Sequence, residues 1–161
     1  MKKIFPLVKI KIIVFLSYFV ILFLIQPWQT YWLFILGGLL GLILLVLDEL
    51  SLNNFYNDTS ANLSSKTVTP FLATRSILFL IALVPLSIFI VTSTGSLIGS
   101  GLIMGLILGL TVEVWQLHQK TVLFNQRFLT QMKLKLNEQQ IMILLTGMCA
   151  YFVLLNLLIL V

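Results

Sequence analysis

The chain has 161 residues, 60% of them hydrophobic and 9% charged, with ten Lys and Arg against five Asp and Glu. A soluble domain carries about 25% charged residues, so there is too little polar side chain here to cover a water-soluble globule, and the length suits one membrane bundle without a second domain. The net charge of +5 does not indicate nucleic acid, because the basic residues gather at the ends of apolar runs, where they orient the chain and meet anionic headgroups.

The first apolar run, 8–25, is long enough to cross a bilayer if Lys9 and Lys11 snorkel back to the headgroups. Lys2 and Lys3 precede it as in a signal peptide. The apolar part is longer than a signal peptide's, and no small-x-small cleavage site follows, so it reads as an uncleaved anchor. Pro27 and Trp28 mark a turn at the membrane surface. The second run, 30–47, begins at Tyr31 and Trp32 and ends at Asp48 and Glu49. Residues 51–70 are rich in Asn, Ser and Thr and lack periodicity, which predicts a cytoplasmic loop.

The third run, 71–91, has Arg75 near its start and Pro85 in its second half, where a kink is predicted. Residues 92–96 form a tight turn into the fourth run, 97–112. Residues 113–140 mix Trp115, Leu117, Val122, Phe124, Phe128 and Met132 with Gln and basic residues, the pattern of an amphipathic helix on the cytoplasmic interface. The last run, 141–161, is uncharged and holds the lone Cys149, which has no partner for an internal disulfide.

Crossing five times, these runs place all ten Lys and Arg on one side: Lys2, Lys3, Lys9, Lys11, Lys66, Arg75, Lys120, Arg127, Lys133 and Lys135. The connections on the other side, 26–30 and 93–96, carry no charge. Cytoplasmic loops collect Lys and Arg. The expected topology therefore has the N-terminus cytoplasmic and the C-terminus outside, in the cell (plasma) membrane.

Two of the runs carry glycines at helical spacing: Gly37, Gly38 and Gly41 in the second, Gly101, Gly105 and Gly109 in the fourth. Small residues four apart let helices approach closely where lipid supplies no hydrophobic drive to associate. The pattern predicts that spans two and four touch; its functional alternative is room for a substrate. Contact among spans two, three and four, with one and five more peripheral, would bring Asp48, Glu49, Arg75 and Glu113 to one depth. Charges at such a depth pair or face a wet cavity. They predict either a structural ion-pair cluster or a carboxylate site with Asp48, Glu49 and Glu113 as catalytic candidates. His118, the only His, is five residues beyond Glu113 and off its face. No phosphate loop, nucleophile elbow, zinc-protease helix or Cys cluster is present.

The stretches Val46-Leu47-Asp48-Glu49, Thr74-Arg75-Ser76 and Gly109-Leu110-Thr111-Val112-Glu113 resemble, in order, three motifs of the bacterial membrane-bound metal-dependent hydrolase family: Asp-x-Asp-His, Thr-His-Ser and His-x-x-x-Asp. The resemblance covers residues 35–115, and each family His is replaced, by Glu49, Arg75 and Gly109. It implies Asp48 as a retained carboxylate and Glu113 as a homologous one. Transition metals favour imidazole ligands, so the replacements imply a lost metal, with Arg75 as the substitute cation. An oxygen-only Mg²⁺ or Mn²⁺ site is the other option, and Arg75 would oppose it.

The expected fold is an all-α integral membrane bundle of about five transmembrane helices plus one amphipathic interfacial helix. The expected role is non-catalytic, structural or accessory, without cofactor. Its expected partners are the lipid bilayer and a membrane protein or second copy. A membrane hydrolase with an altered carboxylate site and a small transporter are the alternatives.

Overall fold

A computed structural model describes residues 5–25, 28–60, 74, 76–93, 95–129 and 135–160, with side chains described over 10–22, 31–48, 74, 76–93, 95–129 and 135–159. Its described residues are all-helical, in six helices: α1 (Phe5–Ile25), α2 (Trp28–Ser60), α3 (Ile77–Ser93), α4 (Leu97–Leu117), α5 (Thr121–Phe128) and α6 (Glu138–Leu160). Among the described residues, three stretches are long and apolar enough to cross a membrane by length and composition: Tyr31–Asp48, Leu97–Leu117 and Glu138–Ile159. Ile10–Leu22 and Ile77–Ser93 are shorter apolar helices.

Helix α4 is the centre of the bundle. It packs on α1, α2, α3, α5 and α6, and its buried residues run from Ser100 to Leu117. Spans one and five are thus not peripheral to it, as the sequence reading has them: α1 and α6 lie directly on α4. The tightest seam is with α2. A Cβ placed on Gly37 would overlap the carbonyl oxygen of Ile98, and one on Gly41 that of Leu102. From the other side, Gly101 lies against the carbonyl of Phe34 and Gly105 against that of Gly38. At each point the glycine hydrogen replaced by that Cβ faces a carbonyl oxygen, the geometry of a weak C–H···O contact. Residue numbers climb together along both helices, so α2 and α4 run parallel, and α3 is the return between them.

The turn from α3 into α4 is local in origin. Gly95 has φ +56°, a left-handed conformation open to glycine at little steric cost. Ser96 then caps α4 by accepting from the Gly99 amide at 3.2 Å, satisfying one of the free N–H groups of the first turn. Pro85 lies inside α3 without ending it. On either side of it, the Tyr151 hydroxyl of α6 donates to the Val84 carbonyl at 3.0 Å and is bonded to the buried Ser87 hydroxyl, tying α3 to α6. Tyr18 donates to Asn156 Oδ1 at 2.6 Å and ties α1 to α6.

Three boundaries differ from the sequence reading. Helix α3 begins at Ile77, where the third run is read from 71. Helix α2 continues to Ser60, through the first half of the stretch read as a 51–70 loop; residues 61–70 lie outside the described residues. The single interfacial helix expected over 113–140 is interrupted, and residues 130–134 lie outside the described residues. Residues up to Leu117 complete α4, a turn follows with the Lys120 amide donating to the Leu117 carbonyl at 2.8 Å, and α5 is eight residues long. Phe124 and Phe128 of α5 stack at 4.9 Å, both buried. Asn125 holds the return of the chain: its side chain accepts from the Leu136 amide at 3.0 Å and donates to the Leu136 carbonyl at 3.1 Å.

The outer faces of the bundle are as apolar as its core. Leu33, Leu36, Leu40, Ile43 and Leu47 of α2 are exposed, as are Ile143, Val153 and Leu157 of α6. Exposed apolar surface on this scale marks contact with protein or membrane.

Candidate functional site

The ionisable side chains meet at the end of the bundle where α1 begins and α4 finishes. Along α1, Lys11, Phe15, Phe19 and Leu22 are all buried and follow one another by four, four and three residues, so they share one face. That face lies on α4 and α2, and the Phe15 and Phe19 rings, 4.3 Å apart, cover Gly38 of α2. Lys11 is carried inward with it. It does not snorkel to the surface, as its position near the start of the run suggests, but is 5% exposed.

Its partner is Glu113, the one acidic residue of α4 and itself 0% exposed. Glu113 Oε2 accepts from Lys11 Nζ at 2.5 Å, and Oε1 accepts from Arg127 Nη1 of α5 at 2.9 Å. Three helices are pinned by one carboxylate. A charge taken from water is tolerated only when paired and hydrogen-bonded, and bonds between ionised groups are about twice as strong as neutral ones. Both oxygens of Glu113 are occupied by cations.

Asp48 makes a second polar centre. Its Oδ2 accepts from the Thr74 amide at 3.1 Å and from the Thr74 hydroxyl, fastening α2 to the residues just before α3. Asp48 and Thr74 stand at one end of an apolar groove of about 480 Å³ between α2, α3 and α4.

Of the four residues expected to form one cluster, Asp48 and Glu113 are placed as above, while Arg75 and the Glu49 side chain lie outside the described residues. The cations found on Glu113 are Lys11 and Arg127, which the sequence reading assigned to the membrane interface. A trace of Lys11's role was present in its spacing with Phe15, Phe19 and Leu22. The trace is faint because α1 is apolar on every side. His118 bonds locally, Nδ1 to the Trp115 carbonyl. Gly37, Gly41, Gly101 and Gly105 form the α2–α4 seam, Gly109 faces the side chains of Leu42 and Leu45, and Gly38 faces the rings of Phe15 and Phe19 on α1. Among the described residues, no three His, Cys, Asp or Glu side chains gather closely enough to hold a metal ion.

Among the described residues, one group near the ion centre is unsatisfied. Gln116 lies three residues past Glu113, and neither Nε2 nor Oε1 of its buried amide has a hydrogen-bond partner. A buried unpaired polar group costs about 1–3 kcal/mol. Gln116→Met is therefore expected to raise the denaturation midpoint in mild detergent, by an amount equivalent to about 1 kcal/mol. A lowered midpoint would show that the amide is needed.

No family model, curated protein or solved structure matches the chain.

Proposed function

We propose that the chain is a five-span protein of the cell membrane, N-terminus cytoplasmic and C-terminus outside, with a non-catalytic structural or accessory role. On this reading its likeness to the membrane hydrolases is that of a scaffold whose carboxylate site has become an ion-pair lock. The observation that carries it is the occupancy of Glu113. This carboxylate stands where the resemblance implies a metal ligand, and its two oxygens are held by Lys11 and Arg127. A ligand oxygen already bound by an ammonium or guanidinium is poorly placed to bind a divalent cation as well. The topology draws support from the grouping of Lys and Arg, and from the parallel run of α2 and α4, which needs one return crossing by α3.

The test is metal content of the detergent-purified protein beside its Asp48→Asn variant, with labelling of terminal cysteines in a Cys149→Ser background. The expected result is metal well below one equivalent in both proteins. An impermeant maleimide added from outside should label the C-terminal cysteine and spare the N-terminal one. Stoichiometric metal that disappears in Asp48→Asn would replace this reading with the hydrolase.

A further inference from the structure

We propose that the groove between α2, α3 and α4 is a lipid site: it takes one acyl chain of an aminophospholipid of the cytoplasmic leaflet, with the lipid's primary ammonium on Asp48. The proposal rests on the membrane reading above.

The groove is amphiphilic in the sense that a lipid requires. About 480 Å³ in volume, it is walled by Leu44 and Leu47 of α2, Leu86 and Ile90 of α3, and Leu102 and Leu106 of α4; its polar residues are Asp48 and Thr74. These two are bonded to each other, so the polarity is confined to one end. Along α3 the walls extend from Phe79 to Ile90, which at 1.5 Å per residue is about 16 Å. A bilayer's hydrocarbon core is about 30 Å thick, so the groove matches the depth of one leaflet. Its polar end, at Asp48, is the end where α4 finishes, the side that carries the Lys and Arg in the proposed topology.

The headgroup preference comes from Asp48. Both bonds from Thr74 fall on Oδ2, and among the described residues Oδ1 accepts none. A carboxylate accepts on both oxygens, and a primary ammonium has three donors to offer. Phosphatidylethanolamine can supply a charge-assisted bond to Oδ1. The quaternary ammonium of phosphatidylcholine has the charge but no N–H, and phosphatidylglycerol brings only negative charge to a carboxylate. A neighbouring groove supplies the contrast. It is about 370 Å³ in volume, between α3, α4 and α6, and its walls include Leu80, Val84, Leu144 and Met148 and, among the described residues, no ionisable group except the Tyr151 phenol, which is already bonded to α3. It should accept chains without choosing among headgroups.

The experiment is native mass spectrometry of the full chain in mild detergent, with equal amounts of phosphatidylethanolamine, phosphatidylcholine and phosphatidylglycerol of matched acyl chains. Retention of phosphatidylethanolamine should exceed that of either other lipid by about tenfold. Asp48→Asn still offers an amide oxygen to Thr74, so the fold is kept while the preference should vanish. Leu86→Trp, at a half-exposed position on the groove wall, should lower phosphatidylethanolamine retention by filling the groove with Asp48 untouched. Equal retention of all three lipids, or a preference that survives Asp48→Asn, overturns the proposal. Alkaline carbonate extraction of cell membranes separates this from failure of the membrane reading. A chain released by carbonate sinks that reading, whereas one that stays in the membrane and shows no headgroup preference sinks only the lipid site.

Discussion

Glu113→Gln is expected to lower stability by about 3–5 kcal/mol, the usual cost of removing one partner from a buried ion pair. Glutamine keeps the shape but leaves Lys11, 5% exposed, and the guanidinium of Arg127 facing a neutral amide. Arg127 is 28% exposed and can turn its charge toward water, so the larger part of the loss comes from Lys11. That attribution has its own test. A buried pair replaced whole by apolar groups is often neutral or stabilising, and Lys11→Met combined with Glu113→Leu should therefore recover most of what either single change loses. Thermal unfolding in mild detergent, read by tryptophan fluorescence, supplies all four corners of the cycle. If the double variant is as unstable as the two losses added together, the pair is not the unit of stability that the geometry makes it.

Gly105→Leu should separate α2 from α4. A Cβ at Gly105 would overlap the carbonyl oxygen, carbonyl carbon and Cα of Gly38, all backbone atoms that cannot swing aside. Even Gly105→Ala is expected to cost about 1–3 kcal/mol, as overpacking of a well-packed contact does, and leucine more. Gly109 offers a graded comparison, since a Cβ there meets only the side chains of Leu45 and Leu42, which can change rotamer. Gly147 offers a neutral one: nothing lies within 4 Å of its Cβ position, so Gly147→Ala should stay within about 0.5 kcal/mol of the parent. The expected order of denaturation midpoints is Gly147→Ala highest, then Gly109→Ala, Gly105→Ala and Gly105→Leu. A Gly105→Ala protein as stable as Gly147→Ala would mean that the α2–α4 seam is looser than drawn.

The glycine seam is the part of the packing that could be read in advance. A side chain missing at every fourth residue identifies one face of a helix however apolar the rest is, and the second and fourth runs both carry such a face. Helix α5 was partly legible for a similar reason. Phe124 and Phe128 stand out against Asn125, Gln126 and Arg127, and both are buried. Its extent was not, because the turn after Leu117 is made by backbone bonding without a proline or glycine to announce it. The continuation of α2 to Ser60 was also hidden, because Asn, Ser and Thr favour turns only weakly over helix when a long helix already leads into them.

The ion centre shows where local pattern stops. Residues 11 and 113 are far apart in sequence, and nothing near Glu113 marks Lys11 as its partner over any other lysine. Sequence by itself determined the all-helical class, the apolar runs and the face along which α2 meets α4. Each follows from the bulk or charge of residues counted locally. Only the tertiary structure decided that α4 is the hub, that Glu113 is shared by Lys11 and Arg127, and that a groove ends at Asp48. In a chain apolar on both its inner and outer faces, the rotation of each helix is set by shape and by pairing with distant polar groups, and neither leaves a periodic mark along the chain.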